Sequence, residues 1–112
     1  MVRMEANDLD LVEQTRTGDA DGFREIVERH SHRLFKVAYR LTGNEAHADD
    51  VVQDAFLRAY RNLHRFDARA QLGTWLYRIT VNCAMDLMRK ESRRRSREAT
   101  EHRVELAALE AD

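Results

Sequence analysis

The sequence predicts an all-α protein: a compact helical bundle of three to four helices with a helical or flexible C-terminal linker. Three observations carry that expectation. Proline is absent and only four glycines occur in 112 residues, so little in the chain would stop a helix. Apolar residues recur at spacings of three and four through successive segments. A residue able to cap a helix stands ahead of each of the first three such segments. A chain of this length holds one core rather than two.

Asn7 or Asp8 can cap a first short helix that presents Leu9, Leu11 and Val12 and ends near Gly18. Asp21 is expected to cap the second. There Phe23, Ile26, Val27, His30, Leu34, Val37, Ala38 and Leu41 form one stripe before Gly43 ends the helix. Asn44 opens a third, in which Ala48, Val51, Val52, Ala55, Phe56, Ala59, Tyr60 and Leu63 keep the helical period. Connections this short make the neighbours antiparallel. From His64 to Gly73 the period breaks and the segment reads as a polar loop. A fourth helix is expected from about Thr74, with Trp75, Leu76, Ile79, Cys83, Met85, Leu87 and Met88 as its apolar surface, running into Arg89-Lys90 and Arg93-Arg94-Arg95. Residues 1–95 are assigned to the bundle. Residues 96–112, rich in Glu, Ala and Arg, are assigned to a linker with helical tendency.

The formal net charge of -1 conceals a segregation along the chain. Met1 to Tyr60 holds 8 basic and 12 acidic residues, whereas Arg61 to Asp112 holds 11 basic and 8 acidic. Between Arg58 and Arg97, 11 basic residues meet only Asp67, Asp86 and Glu91. On charge alone two readings stand: a nucleic-acid face, or basic helix ends that serve solubility. The acidic run Asp49-Asp50-Val51-Val52-Gln53-Asp54 followed by the basic, aromatic Trp75-Leu76-Tyr77-Arg78 indicates two binding surfaces of opposite sign.

Cys83 is the only cysteine, so no intrachain disulfide can form, and a reduced, cytoplasmic setting is expected. The N-terminus lacks an apolar signal core, and no apolar run nears the roughly 20 residues that span a bilayer, so membrane insertion is not expected. The five histidines are scattered, with His30 and His32 on different sides of one helix, and no metal site or other cofactor is expected. No nucleophile has a partnered base, no carboxylate pair faces a pocket and no phosphate loop occurs, which argues against an enzyme.

The acidic helix with Asp49-Asp50-Val51-Val52-Gln53-Asp54-Ala55-Phe56, a loop, then Thr74-Trp75-Leu76-Tyr77-Arg78-Ile79 with Asn82, Asp86 and Arg89, resembles region 2 of bacterial sigma factors in its extracytoplasmic-function (ECF) variant. The similarity runs from about Leu9 to Arg94. It implies a transcription initiation factor domain that docks on RNA polymerase core and recognises and melts the minus-ten promoter element. The resemblance implies that a helix-turn-helix domain would follow the linker, so the chain reads as a piece of a longer protein or else as a natural short form, with the first favoured.

The resemblance implies that the clamp helices of the largest catalytic subunit, a basic coiled coil, meet Asp50, Gln53, Asp54, Leu57 and Arg58. The first three lie at i, i+3 and i+4 and so share a helical face. Asp49 is assigned instead to the helix dipole. Promoter DNA, especially the single non-template strand, would meet the loop and the fourth helix. Arg65 and Arg69 would hold phosphates, and Asp67 or Gln71 would hydrogen-bond the edge of a flipped base. Phe66 either borders that base or plugs the core. Asn82 matches the family position that contacts a base at the upstream edge of the melted segment, where an amide both donates and accepts.

Trp75 either packs into the bundle or borders the point of strand separation. Primary sigma factors carry a tryptophan pair at this place, and Trp75-Leu76 implies weaker melting and a stricter promoter requirement. Arg78, Arg89, Lys90, Arg93 and Arg94 would contact phosphates, while Asp86 would orient Arg89 or Arg78. An anti-sigma factor is a further family expectation and would cover the same surfaces. The rival reading is a helical protein-interaction module that uses the acidic helix and never binds DNA.

Overall fold

The computed structural model describes residues 7–111, whose regular structure is helical throughout. Helix α1 spans Asp8–Arg16, α2 Ala20–Thr42, α3 Glu45–Arg61 and α4 Leu72–Glu110, with a 3-10 turn at Leu63–Arg65. Among the described residues, no helix is long and apolar enough to cross a membrane.

Local chemistry sets most of the boundaries. Asn7, rather than Asp8, caps α1 by accepting the Asp10 N–H at 2.9 Å. The cap of α2 is Asp19 and not Asp21: Asp19 stays extended and accepts the Asp21 N–H at 3.0 Å. Asp21 falls inside the first turn, where its charge suits the dipole. Gly43, at φ 68°, closes α2 in the left-handed conformation that a side chain resists. Asn44 caps α3 by accepting the His47 N–H at 2.9 Å. Helix α4 starts at Leu72 rather than Thr74 and lacks a side-chain cap, but Leu72 is buried and anchors its first turn in the core.

The core has two adjoining parts. Leu11, Val12, Ile26, Leu34, Phe56, Leu63, Phe66, Leu72 and Leu76 fill one. The other is made of small residues, Ala38, Ala48, Val51, Ala55, Cys83 and Ala84, which bring α2, α3 and α4 close together. Phe23 stands edge-on to Phe56 and Tyr60 at ring distances of 6.2 and 5.1 Å, so the start of α2 meets the end of α3 and the two run antiparallel. Helices α3 and α4 are likewise antiparallel, which leaves α2 and α4 parallel. Leu9, Leu41 and Tyr60, expected on the apolar stripes, are substantially exposed. Leu9 lies on the outer side of a helix so short that only Leu11 and Val12 are fully covered.

The backbone of α1 lies against Gly22. A Cβ there would stand 2.8 Å from both the Leu11 carbonyl oxygen and the Thr15 hydroxyl oxygen. Gly22→Ala is therefore expected to lower stability by about 1–3 kcal/mol, overpacking outweighing the roughly 1 kcal/mol that alanine gains in helix propensity. Urea denaturation measures this, and a rise in the midpoint would contradict it.

Helix α4 does not stop at the bundle. Its 39 residues continue through the segment expected to be a linker, all of it exposed from Ser92 to Glu110. Arg94 pairs with Glu91 at 2.8 Å and Glu98 at 3.9 Å along this projection, and neither glycine nor proline interrupts it. The resulting shape measures 80 × 27 × 22 Å.

Candidate polymerase and nucleic-acid surfaces

Helix α3 turns Val51, Ala55, Phe56 and Ala59 into the core, which leaves Asp50, Gln53 and Leu57 on the outside. Leu57 is 53% exposed, an apolar side chain beside carboxylates with no core role to explain it. Asp54 lies at the margin of this face. Arg58, expected to extend the face, points sideways instead. Its Nη2 lies 3.0 Å from Asp54 Oδ2 and its Nη1 donates to Asp86 Oδ2 at 3.2 Å, tying α3 to α4. The other oxygen of Asp86 accepts from Arg89 Nη2 at 2.6 Å. Arg89 first and Arg58 second hold the Asp86 carboxyl below the usual carboxylate range. Of the two arginines expected beside Asp86, Arg89 is there and Arg78 is not; Arg78 has no carboxylate partner among the described residues.

Cys83 lies buried behind this bridge. Burial, reinforced by Asp54, pushes its thiol up to about 12. Since the thiolate is the nucleophile, the folded chain is expected to resist a disulfide reagent at pH 8 and react once denatured. Rapid labelling of the native chain would contradict this placement.

The segment between α3 and α4 is held at both ends by arginines from elsewhere. Arg16 of α1 donates through Nη2 to the Leu63 and Phe66 carbonyl oxygens at 2.8 and 2.7 Å. Arg33 of α2 donates to the Gly73 carbonyl oxygen at 3.1 Å. Between these braces, Asp67 Oδ1 accepts the Arg69 backbone N–H at 3.0 Å, and its Oδ2 lies 2.7 Å from Arg69 Nη2. That pair holds the Asp67 carboxyl below its ordinary range. A base edge at Asp67 must therefore share the carboxylate with Arg69, whose side chain is 91% exposed.

Phe66 is the core plug. It is 4% exposed and its ring lies 5.3 Å from that of Trp75, so it cannot border an extruded base in this arrangement. Trp75 packs on Phe66 while one side remains open. With Arg58, Asn62, Arg65, Ile79 and Asn82 it lines a cleft of about 270 Å³. Arg69 and Gln71 lie instead in a second concavity, beside Arg33 and His30. Of the expected DNA residues, Arg65, Trp75 and Asn82 thus line one recess and Arg69 and Gln71 another. Arg78 and Arg89 are exposed along α4, Lys90 stands beside Arg58 and Asp86, and Arg93 lies in the exposed projection. Among the described residues, no group of histidine, cysteine or acidic side chains could hold a metal ion.

Arg16, Arg33 and Asn62 were not expected at these sites. Arg16 and Arg33 sit in helices whose local pattern gives only a solvated basic position, and their carbonyl partners lie 47, 50 and 40 residues away in sequence.

Residues 26–94 match Sigma-70 region 2, and the chain belongs to that family. The ECF RNA polymerase sigma factor SigW of Bacillus subtilis is 40% identical over 80 residues, covering 71% of this chain and 43% of that protein. The ECF RNA polymerase sigma-E factor of Escherichia coli is 38% identical over 84 residues, covering 75% of this chain and 44% of that protein. The chain thus spans less than half the length of these relatives.

Among solved structures, an engineered region 2 of sigmaE in complex with GTAAAA matches with a TM-score of 0.78 at 36% identity, over 83% of this chain and 97% of that one. CnrH in complex with the cytosolic domain of CnrY matches with a TM-score of 0.65 at 35% identity, over 70% and 51%. The all-α bundle and the likeness to ECF sigma factors expected from the sequence are both borne out.

Proposed function

We propose that this chain is the part of an ECF sigma factor that docks on RNA polymerase core and recognises and melts the minus-ten promoter element. The observation that carries this reading is the presence of two exposed faces on one bundle: Asp50, Gln53 and Leu57 on α3, and Arg78, Asn82 and Arg89 on α4. The likeness to a region 2 solved with GTAAAA supports the second face.

On the polymerase side, the α3 carboxylates steer and orient a basic coiled coil while Leu57 supplies apolar contact. On the DNA side, opening follows from binding extruded bases better than stacked ones. Asn82 reads a base from the cleft it shares with Trp75 and Arg65, and Gln71 reads another from the neighbouring recess. Arg65, Arg78, Arg89, Lys90 and Arg93 hold the backbone. Residues 1–95 act as the region 2 unit, and 96–112 lead toward a helix-turn-helix domain. The factor works in the cytoplasm with the polymerase. An anti-sigma protein covers one of these faces, a view supported by the CnrH neighbour with its bound CnrY domain.

Fluorescence anisotropy with labelled single-stranded DNA tests the nucleic-acid half. Log affinity is expected to fall with log salt at about −0.7 per phosphate held, and Arg78→Gln to lower that slope by about 0.7. A folded chain with no salt-dependent binding would favour the helical interaction module.

A further inference from the structure

Helix α2 carries a basic surface that the function above does not use. From Arg29 to Thr42 it holds Arg29, Arg33, Lys36 and Arg40 and no acidic residue. At 100° per residue, these four fall within about 60° of one another around the helix. The first of them is neutralised: Arg29 lies 3.6 Å from Asp8 and 3.1 Å from Glu25. Past the reach of α1, the other three have no carboxylate partner among the described residues and are exposed.

Two ordinary explanations for such a stripe fall short. The helix dipole favours cations only in the last turn, which accounts for Arg40 and not for Arg33 or Lys36. A surface kept basic for solubility ordinarily intersperses both signs, as α1 and the α2 segment before Arg29 do. The stripe also continues a surface already described. Arg33 bonds the Gly73 carbonyl oxygen and lines the recess that holds Arg69 and Gln71, and α2 runs parallel to α4 from that point.

We propose that Arg33, Lys36 and Arg40 form a phosphate track on α2, along which a DNA strand continues after leaving the loop. Arg33 and Arg40 are about 10 Å apart along the helix, long enough to follow a strand past more than one phosphate. The track is assigned to phosphates, which charge holds without reading sequence. Its contribution is salt-sensitive affinity and a fixed direction for the strand. This inference rests on the DNA half of the function proposed above.

The test is anisotropy of the full chain with a labelled thymidine strand of about twenty nucleotides, across a salt series. Lys36→Gln/Arg40→Gln is compared with Arg78→Gln/Arg93→Gln, helicity being checked for each. The α2 pair is expected to lower the log–log salt slope by about 1.4, two contacts at about 0.7 each, as the α4 pair does. An unchanged slope in the α2 pair beside a reduced slope in the α4 pair would overturn the track while leaving the DNA reading intact. No binding by the wild type would remove both. A polyglutamate peptide serves as a second probe. If the α2 pair loses that peptide yet keeps its DNA slope, the stripe is a docking site for an acidic protein and the proposal is wrong.

Discussion

Arg16→Ala is expected to free the segment between Leu63 and Leu72 while leaving the four helices folded. The Arg16 guanidinium satisfies two backbone carbonyls at 2.8 and 2.7 Å, on residues whose own side chains are buried. A hydrogen bond from a charged donor contributes about 1.5–3 kcal/mol, so removing both costs the loop roughly 3 kcal/mol or more. Arg65, Asp67, Arg69 and Gln71 all ride on this segment, and their placement relative to Asn82 depends on it. Native-state hydrogen exchange should show the amides around Phe66 opening at least about 100-fold more often, the equivalent of about 2.8 kcal/mol. Base selectivity in a selection from random single strands should fall with it, while phosphate contacts from α4 persist. Arg16→Lys keeps the charge and loses the planar fork, and should fall between the two. Unchanged loop protection in Arg16→Ala would show that the loop holds itself.

Asp54→Arg is expected to abolish docking on the polymerase clamp helices. The substitution replaces an attraction to a basic coiled coil with a repulsion, and like charges juxtaposed at an interface cost several kcal/mol. It also sets a new cation against Arg58, which now pairs with Asp54 at 3.0 Å, and so loads the bridge to Asp86. Calorimetric titration with a clamp-helix fragment should show the Kd raised at least about 100-fold, or about 2.8 kcal/mol. Gln53→Ala, which removes only a polar contact on the same face, should cost about 1 kcal/mol. Helicity of both variants is checked first. Wild-type affinity in Asp54→Arg would place the docking surface elsewhere.

What the sequence revealed and what it hid divide along a physical line. The helices were legible because their causes are local: a chain without proline, apolar spacings of three and four, and Asn7, Gly43 and Asn44 at three of the boundaries. Asp19 and Asp21 are both competent caps two residues apart, and the turn at Gly18, at φ 102°, together with the Gln14 amide that donates to the Asp19 carboxylate at 2.8 Å, favours Asp19. For Phe66 the sequence leaves two places open, the core or a base, and for Arg58 it gives no sign of a partner on α4. Each sits beside residues of a recognisable surface, but its side chain answers to a partner on another element, Asp86 for Arg58 and the core around Trp75 for Phe66. Arg16 and Arg33 were invisible because their partners are backbone carbonyls, which no side-chain pattern records. The extension of α4 past Ser96 was foreseen only as a tendency, since without buried residues its helix rests on propensity and ion pairs.

The most direct measurement asks whether both faces work at once. A labelled single strand is titrated with this chain and then with polymerase core, and the size of the labelled complex is followed. Because Gln53 and Leu57 on α3 and Arg78 and Asn82 on α4 are exposed together, core should add to the strand-bound chain and form a ternary complex, which Asp54→Arg prevents without releasing the strand. Release of the strand when core is added, or a strand that never binds the folded chain, would contradict a domain that joins promoter DNA to the polymerase.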